Sequence, residues 1–145
     1  MNSNCGCVYP NIEGNLVKDL IKAINGEYTA VVCYERLANH ASSREERERI
    51  LEIRNDEIKH LHIFSNIYLT LTGRKPEPQM TGECPKNYCK GLKEAFIDEQ
   101  ETVDFYNEVG DRTSDPYIKK QFHRFARDEQ NHAVWFLFYI SNNNK

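Results

Sequence analysis

An internal repeat at an offset of 72 residues constrains this chain more than any other feature, because Asp56-Glu57-Ile58-Lys59-His60 returns as Asp128-Glu129-Gln130-Asn131-His132. The same offset carries Glu27 onto Glu99, Tyr34 onto Tyr106, Ser42 onto Ser114 and Phe64 onto Phe136. Lys18/Lys90, Leu20/Leu92, Ala23/Ala95 and Val31/Val103 match as well. A solenoid needs at least three stacked units. Two copies instead imply one half of a domain used twice.

Each half carries one Glu and then, thirty residues later, Glu-x-x-His. On a helix, positions three apart lie on one face about one turn from each other. One Glu-x-x-His therefore presents an oxygen and a nitrogen toward the same point. Two such pairs with two lone Glu make four carboxylates and two imidazoles. That is the ligand set of a carboxylate-bridged two-metal site inside a four-helix bundle.

The rest of the chain is patterned to build such a bundle. Leu16, Leu20, Ala23, Glu27, Ala30, Tyr34, Leu37 and Ala41 alternate in steps of four and three, the seam of a packed helix over about Asn11–Ala41. Ser43 with Glu46 reads as a capping box opening a second helix that runs to about Leu71. Its seam is Ile50, Ile53, Glu57, His60, Phe64, Ile67 and Leu71, and Gly73, Pro76 and Pro78 end it. A third helix is expected over about Gly91–Val109, with Leu92, Ala95, Glu99, Thr102, Tyr106 and Val109 inward. Asp115-Pro116 starts a fourth that reaches about Ile140. Its seam holds Ile118, Phe122, Phe125, Glu129, His132, Phe136 and Tyr139. The expected organisation is a loose tail over 1–11 and one all-α domain over 12–141. Helix pairs 12–73 and 91–141 are joined by the long crossover 74–90, an antiparallel four-helix bundle.

Glu27, Glu57, His60, Glu99, Glu129 and His132 thus occupy seam positions where Leu or Ile would pack. Burying one unpaired carboxylate costs several kcal/mol as an order of magnitude, and no Lys or Arg shares those seams. Two divalent cations would balance four carboxylates. Oxygen donors with one imidazole per metal suit iron or manganese better than zinc. Glu57 and Glu129 are expected to bridge, with Glu27 and His60 completing one site and Glu99 and His132 the other. The alternative is a set of solvated helix faces in an acidic protein, which the doubled motif on four seams disfavours.

Around this set, Asp56 and Asp128 lie one turn before each histidine. There they either hold an imidazole N–H or stand as exposed acids. Tyr34 and Tyr106 lie two turns after Glu27 and Glu99, as hydrogen-bond donors to the carboxylates, local redox groups or plain core aromatics. His40, His62 and His123 fall off the seams and read as surface histidines. Five cysteines at uneven spacing make a poor disulfide framework. Cys33 reads as packing beside the first seam, and Cys5, Cys7, Cys84 and Cys89 as unrelated surface thiols. A tail folded onto the crossover would instead gather those four as a metal site or a redox-active dithiol.

A formal net charge of −3 gives no reason to expect nucleic acid, and the longest apolar run, Trp135–Ile140, is too short to span a bilayer. No secretory signal is visible near Met1, so a cytoplasmic protein with reduced thiols is expected.

Gly26-Glu27 with Tyr34, Asp56-Glu57-x-x-His60 and Asp128-Glu129-x-x-His132 resemble the rubrerythrin branch of the ferritin-like superfamily, over about residues 12–140. The resemblance implies a ferritin-like bundle with two iron ions that reacts with hydrogen peroxide or dioxygen. It also implies peroxide reduction with electrons relayed from a rubredoxin-type centre, and a homodimer, in some members helix-swapped. No pair of Cys-x-x-Cys motifs follows the fourth helix, so a separate donor such as a rubredoxin-like protein is expected. The branch carries an extra Glu one turn after the first on its third helix. Here that position is Thr102, with Asp98 and Glu101 as substitutes to consider. Iron handling without peroxidase turnover, and a structural bundle with a vestigial site, are the competing functions.

Overall fold

In the computed structural model, which describes residues 12–144, four helices account for most of the described residues. They are α1 (Ile12–Asn39), α2 (Arg44–Thr72), α3 (Tyr88–Arg112) and α4 (Pro116–Asn143). The expected tail over 1–11, with Cys5 and Cys7, lies outside the described residues. Among the described residues, no helix is long and apolar enough to cross a membrane.

Local chemistry sets the helix ends. The Ser43 hydroxyl accepts from the Glu46 N–H at 3.1 Å and opens α2. Gly73, at φ 71°, closes α2 by donating its N–H to the Leu69 carbonyl at 2.8 Å, a left-handed turn that costs glycine nothing. Asp115 caps α4 by accepting from the Ile118 N–H at 2.9 Å, with Pro116 in the first turn. The third helix begins earlier than expected. Asn87 accepts from the Lys90 N–H at 3.0 Å, so α3 starts at Tyr88 and not at Gly91. An Asx cap needs only one side-chain oxygen, and it outweighs the glycine three residues on.

The capping box is only half made. The Glu46 carboxylate turns away from its own cap and is buried, accepting hydrogen bonds from the Tyr88 hydroxyl and the Asn143 amide. Leu71, assigned to the second seam, is 45% exposed. It lies in the last turn of α2, one residue before the helix ends at Thr72.

α1 packs along α2 and α3 along α4, and the two pairs meet through α1–α3 and α2–α4. Two apolar clusters fill the interior. One holds Leu20, Ile24, Phe64, Ile67, Tyr106, Phe122 and Phe125. The other holds Tyr34, Leu37, Ile50, Ile53, Leu92, Phe136 and Tyr139. Along each helix a polar residue interrupts this filling: Glu27 follows Ile24, Glu57 follows Ile53, Glu99 follows Ala95 and Glu129 follows Phe125. The bundle therefore carries one charged layer between two greasy plugs.

Candidate metal centre

The six seam residues converge on that layer. Glu27, Glu57, His60 and Glu129 each offer an atom within 4.8 Å of the others, and so do Glu57, Glu99, Glu129 and His132. Glu57 and Glu129 belong to both groups. All six side chains are at most 3% exposed. The geometry respects the repeat, since exchanging the two halves turns one group into the other.

The hydrogen bonds around the layer cross between halves. The Tyr34 hydroxyl on α1 donates to Glu99 Oε1 on α3 at 2.5 Å, and the Tyr106 hydroxyl on α3 donates to Glu27 on α1. The expectation that each Asp serves its own helix is corrected. Asp128 Oδ2 lies 3.0 Å from His60 Nε2, and Asp56 Oδ2 lies 3.2 Å from His132 Nε2. Residues one turn apart on a helix run parallel to each other, whereas α2 and α4 present these side chains face to face. Aromatic packing crosses as well: Tyr34 meets Phe136 at 5.1 Å between centroids, and Tyr106 meets Phe64 at 5.3 Å. Phe125 stacks on the His60 ring at 4.0 Å.

With Nε2 of each imidazole engaged by an aspartate, Nδ1 faces the layer. His60 Nδ1 lies 2.9 Å from Glu129 Oε1, and His132 Nδ1 lies 2.8 Å from Glu57 Oε1. These are close approaches without hydrogen-bond alignment. Glu27 Oε2, Glu57 Oε1, Glu99 Oε2, Glu129 Oε1 and both Nδ1 atoms are buried with no hydrogen-bond partner. Buried polar atoms are nearly always satisfied. Six orphans, one from each residue, all in one layer, are the signature of a cation-binding set.

Electrostatics agree. Two ionised carboxylates within 4.8 Å of each other repel by roughly 3.5 kcal/mol or more at an effective dielectric near 20. Burial, and then the charges of Glu129, Glu27 and Glu99, push Glu57 well above the ordinary carboxylate range. Burial and Glu129 do the same to Glu99. Glu129 goes the other way. Burial alone would raise it, but Glu99, His132 and His60 beside it hold it below the usual range. Burial would likewise lower His60 and His132. The surrounding carboxylates overcome this and raise both imidazoles. Burial and the adjacent carboxylates keep the Tyr34 and Tyr106 hydroxyls protonated, hence donors. Without a cation, the layer holds itself together by retaining protons that divalent metals would displace.

A cleft of about 480 Å³ between α1 and α3 reaches this layer. Glu27, Glu57, Glu99 and Glu129 lie along it, Gly26 and Thr102 border it, and Thr81, Gly82 and Glu83 of the crossover close one side. Asp98, Glu101 and Thr102 line the same cleft, but none joins the two carboxylate–histidine groups, and Thr102 Oγ1 donates to its own helix at the Asp98 carbonyl. His40 and His62 are exposed. His123 is not a plain surface histidine: it is half-buried over Gly110, with Nε2 3.0 Å from Asp111 Oδ1.

The cysteine expectation fails at two positions. Cys33 and Cys84 form a disulfide, with Cα atoms 5.2 Å apart. The partners are 51 residues apart in sequence, and only the path of the crossover brings them together. Cys89 is free and exposed.

Residues 90–145 match the family model described as Rubrerythrin. The Bacillus subtilis (strain 168) protein YhjR, itself uncharacterised, is 54% identical over 125 residues, 86% of each chain. Among solved structures, ferritin-like, diiron-carboxylate proteins from Bacillus anthracis str. Ames align with a TM-score of 0.80 at 18% identity, over 91% of this chain and 99% of theirs. The Desulfovibrio desulfuricans bacterioferritin, whose diiron site was captured in different catalytic states, gives 0.79 at 19% identity, over 90% and 81%.

Proposed function

Because the chain is a rubrerythrin-like member of the ferritin-like superfamily, we propose that it is a non-haem di-iron oxidoreductase. In this reading it reduces hydrogen peroxide, or dioxygen, with electrons from a separate donor. The observation that carries the proposal is the set of six inward atoms without hydrogen-bond partners. Glu27, His60, Glu57 and Glu129 would hold one metal, and Glu99, His132 and the same Glu57 and Glu129 the other. Iron fits four oxygen donors with one imidazole per metal, and manganese is the alternative. When bound, the metal pair supplies two electrons and Lewis acidity to the oxygen substrate.

The chain's own residues prepare the site. Asp128 and Asp56 fix the imidazole tautomer by accepting from Nε2–H, leaving each Nδ1 lone pair inward. Tyr106 and Tyr34 hold Glu27 and Glu99 in place through their hydroxyl protons, on the side facing the cleft. Phe64, Phe122 and Phe125 seal one end of the layer against water. A small oxidant reaches it through the cleft.

One observation favours a second reading, iron capture with little turnover. Glu83, Glu94, Asp98 and Glu101 all line the cleft, and an acidic entrance draws cations. The two readings separate in one experiment. Iron-loaded protein, reduced without air, is mixed with peroxide and followed by stopped-flow spectroscopy, then supplied with an artificial electron donor. Rapid oxidation with sustained donor-dependent turnover supports the oxidoreductase. Oxidation without turnover supports iron handling. Peroxide consumption no faster than that of free iron sinks the proposal and leaves a structural bundle.

A further inference from the structure

The Cys33–Cys84 pair stands outside the duplicated framework. The repeat places Phe105 opposite Cys33, and Cys84 lies in the crossover, which has no counterpart. The bond is not the only tie between the crossover and α1 among the described residues. The Gln79 N–H donates to Asn25 Oδ1 at 2.9 Å, the Thr81 N–H donates to Thr29 Oγ1 at 3.0 Å, and Asn87 caps α3. These anchors flank Cys84 on both sides, so opening the bond leaves two thiols side by side. The location is also specific. Cys33 lines the cleft together with Glu27, Tyr34 and Glu99, and the next residue, Tyr34, donates to Glu99. Cys84 is buried, but Cys33 is half-buried on the wall of the open cleft, the side from which a small dithiol would approach the bond.

We propose that Cys33 and Cys84 form a redox-active dithiol–disulfide pair that supplies the two electrons consumed at the carboxylate–histidine centre, and that an external dithiol re-reduces it. The proposal rests on the peroxide-reducing reading and names its immediate electron donor. The balance closes. As the S–S bond forms, the two thiols release two electrons and two protons. The O–O bond of hydrogen peroxide breaks, and its two oxygens leave as two waters. An external dithiol then attacks the disulfide, passes through a mixed disulfide and departs oxidised, which restores both thiols.

The test reads thiol state as well as turnover. Iron-loaded protein is fully reduced, freed of reductant without air and given one equivalent of peroxide. It is then quenched with an alkylating agent, and peptide mass spectrometry quantifies the Cys33–Cys84 linkage. The linkage is expected to form about tenfold or more faster than in metal-stripped protein, a barrier difference of roughly 1.4 kcal/mol or more. Equal rates with and without metal overturn the proposal, as does a linkage that a small dithiol never opens in the folded protein. The double variant Cys33→Ser, Cys84→Ser is expected to show one burst of peroxide consumption and then lose dithiol-driven turnover. Sustained dithiol-driven turnover in that variant, with or without a lowered melting temperature, marks the bond as a staple and overturns the proposal. If wild-type protein shows no burst at all, the oxidoreductase reading has failed and takes this inference with it.

Discussion

Replacing Asp128 with Asn tests the crossed arrangement directly. The substitution keeps the shape of the side chain and removes its charge, so His60 Nε2–H keeps an acceptor but loses a charge-assisted one. Removing such an outer partner typically costs about 10–100-fold in metal affinity. The surroundings of the two aspartates place them within that range. Asp128 is 3.0 Å from His60 and 27% exposed, with Arg124 a distant competitor at 3.4 Å. Asp56 is 3.2 Å from His132 and 40% exposed, and Lys59 engages it at 2.9 Å. Asp128→Asn should therefore cost about 2–2.7 kcal/mol in affinity for a metal beside His60, the upper part of that range. Asp56→Asn should cost about 1.4 kcal/mol beside His132, the bottom of that range, because solvent and Lys59 already share that carboxylate. Anaerobic calorimetric titration with ferrous iron measures both. The pairing itself is read by double-mutant cycles on urea unfolding of metal-free protein, which avoids the loss of metal in histidine variants. Asp128→Asn with His60→Ala should show a coupling of about 1–2 kcal/mol, and Asp128→Asn with His132→Ala about zero. Coupling within one helix, Asp56 with His60 or Asp128 with His132, would refute the crossed assignment.

Three further outcomes follow from the same layer. Glu57→Leu should abolish two-metal binding and stabilise the metal-free chain by about 1–3 kcal/mol, since a packed apolar residue replaces a strained buried acid; unchanged metal content by elemental analysis contradicts the shared role of Glu57. Tyr106→Phe should destabilise the protein by about 1.5–3 kcal/mol through loss of a hydrogen bond to the Glu27 carboxylate, with Tyr34→Phe similar; thermal melts showing no change would mean the hydroxyls do not hold the carboxylates. Metal removal should invert the pH dependence. Glu57 and Glu99 keep protons that the unfolded chain has already lost, so their stabilisation is full below the ordinary glutamate range and fades as pH rises through their raised values. The raised His60 and His132 have the same sign, lost as pH climbs above the ordinary histidine range. The depressed Glu129 opposes them only at acid below the ordinary glutamate range. Metal-free protein should therefore melt lower at pH 8 than at pH 6, while added metal, competing with those protons, should stabilise more at pH 8. A metal-induced shift in melting temperature that is flat with pH would discredit the proton-for-metal exchange.

The two halves share one centre in a way that explains why both copies are needed. Each carboxylate–histidine group takes three residues from one half and one from the other, and each Tyr and Asp reaches across. A single helix pair would leave Glu27 without Tyr106 and His60 without Asp128. Duplication and closure of the bundle therefore complete the site in one step. The chain departs from this symmetry at Cys33, Cys84 and the crossover, where the cleft opens.

What the sequence determined by itself is whatever depends on neighbours three or four residues away. Helical seams, the i,i+3 placement of Glu57 with His60 and Glu129 with His132, the Gly73 stop and the Asp115-Pro116 start all follow from local geometry, and so did the convergence of the six inward residues. A charged residue on a seam has nowhere to go but the common interior. Tertiary structure decided every pairing between residues far apart along the chain. Asp128 found His60, Tyr106 found Glu27, Glu46 left its cap for Tyr88, and Cys33 met Cys84 across the crossover. Each of these depends on how far one helix slides or turns against another. Helical periodicity says which way a side chain points but not what will be standing opposite it.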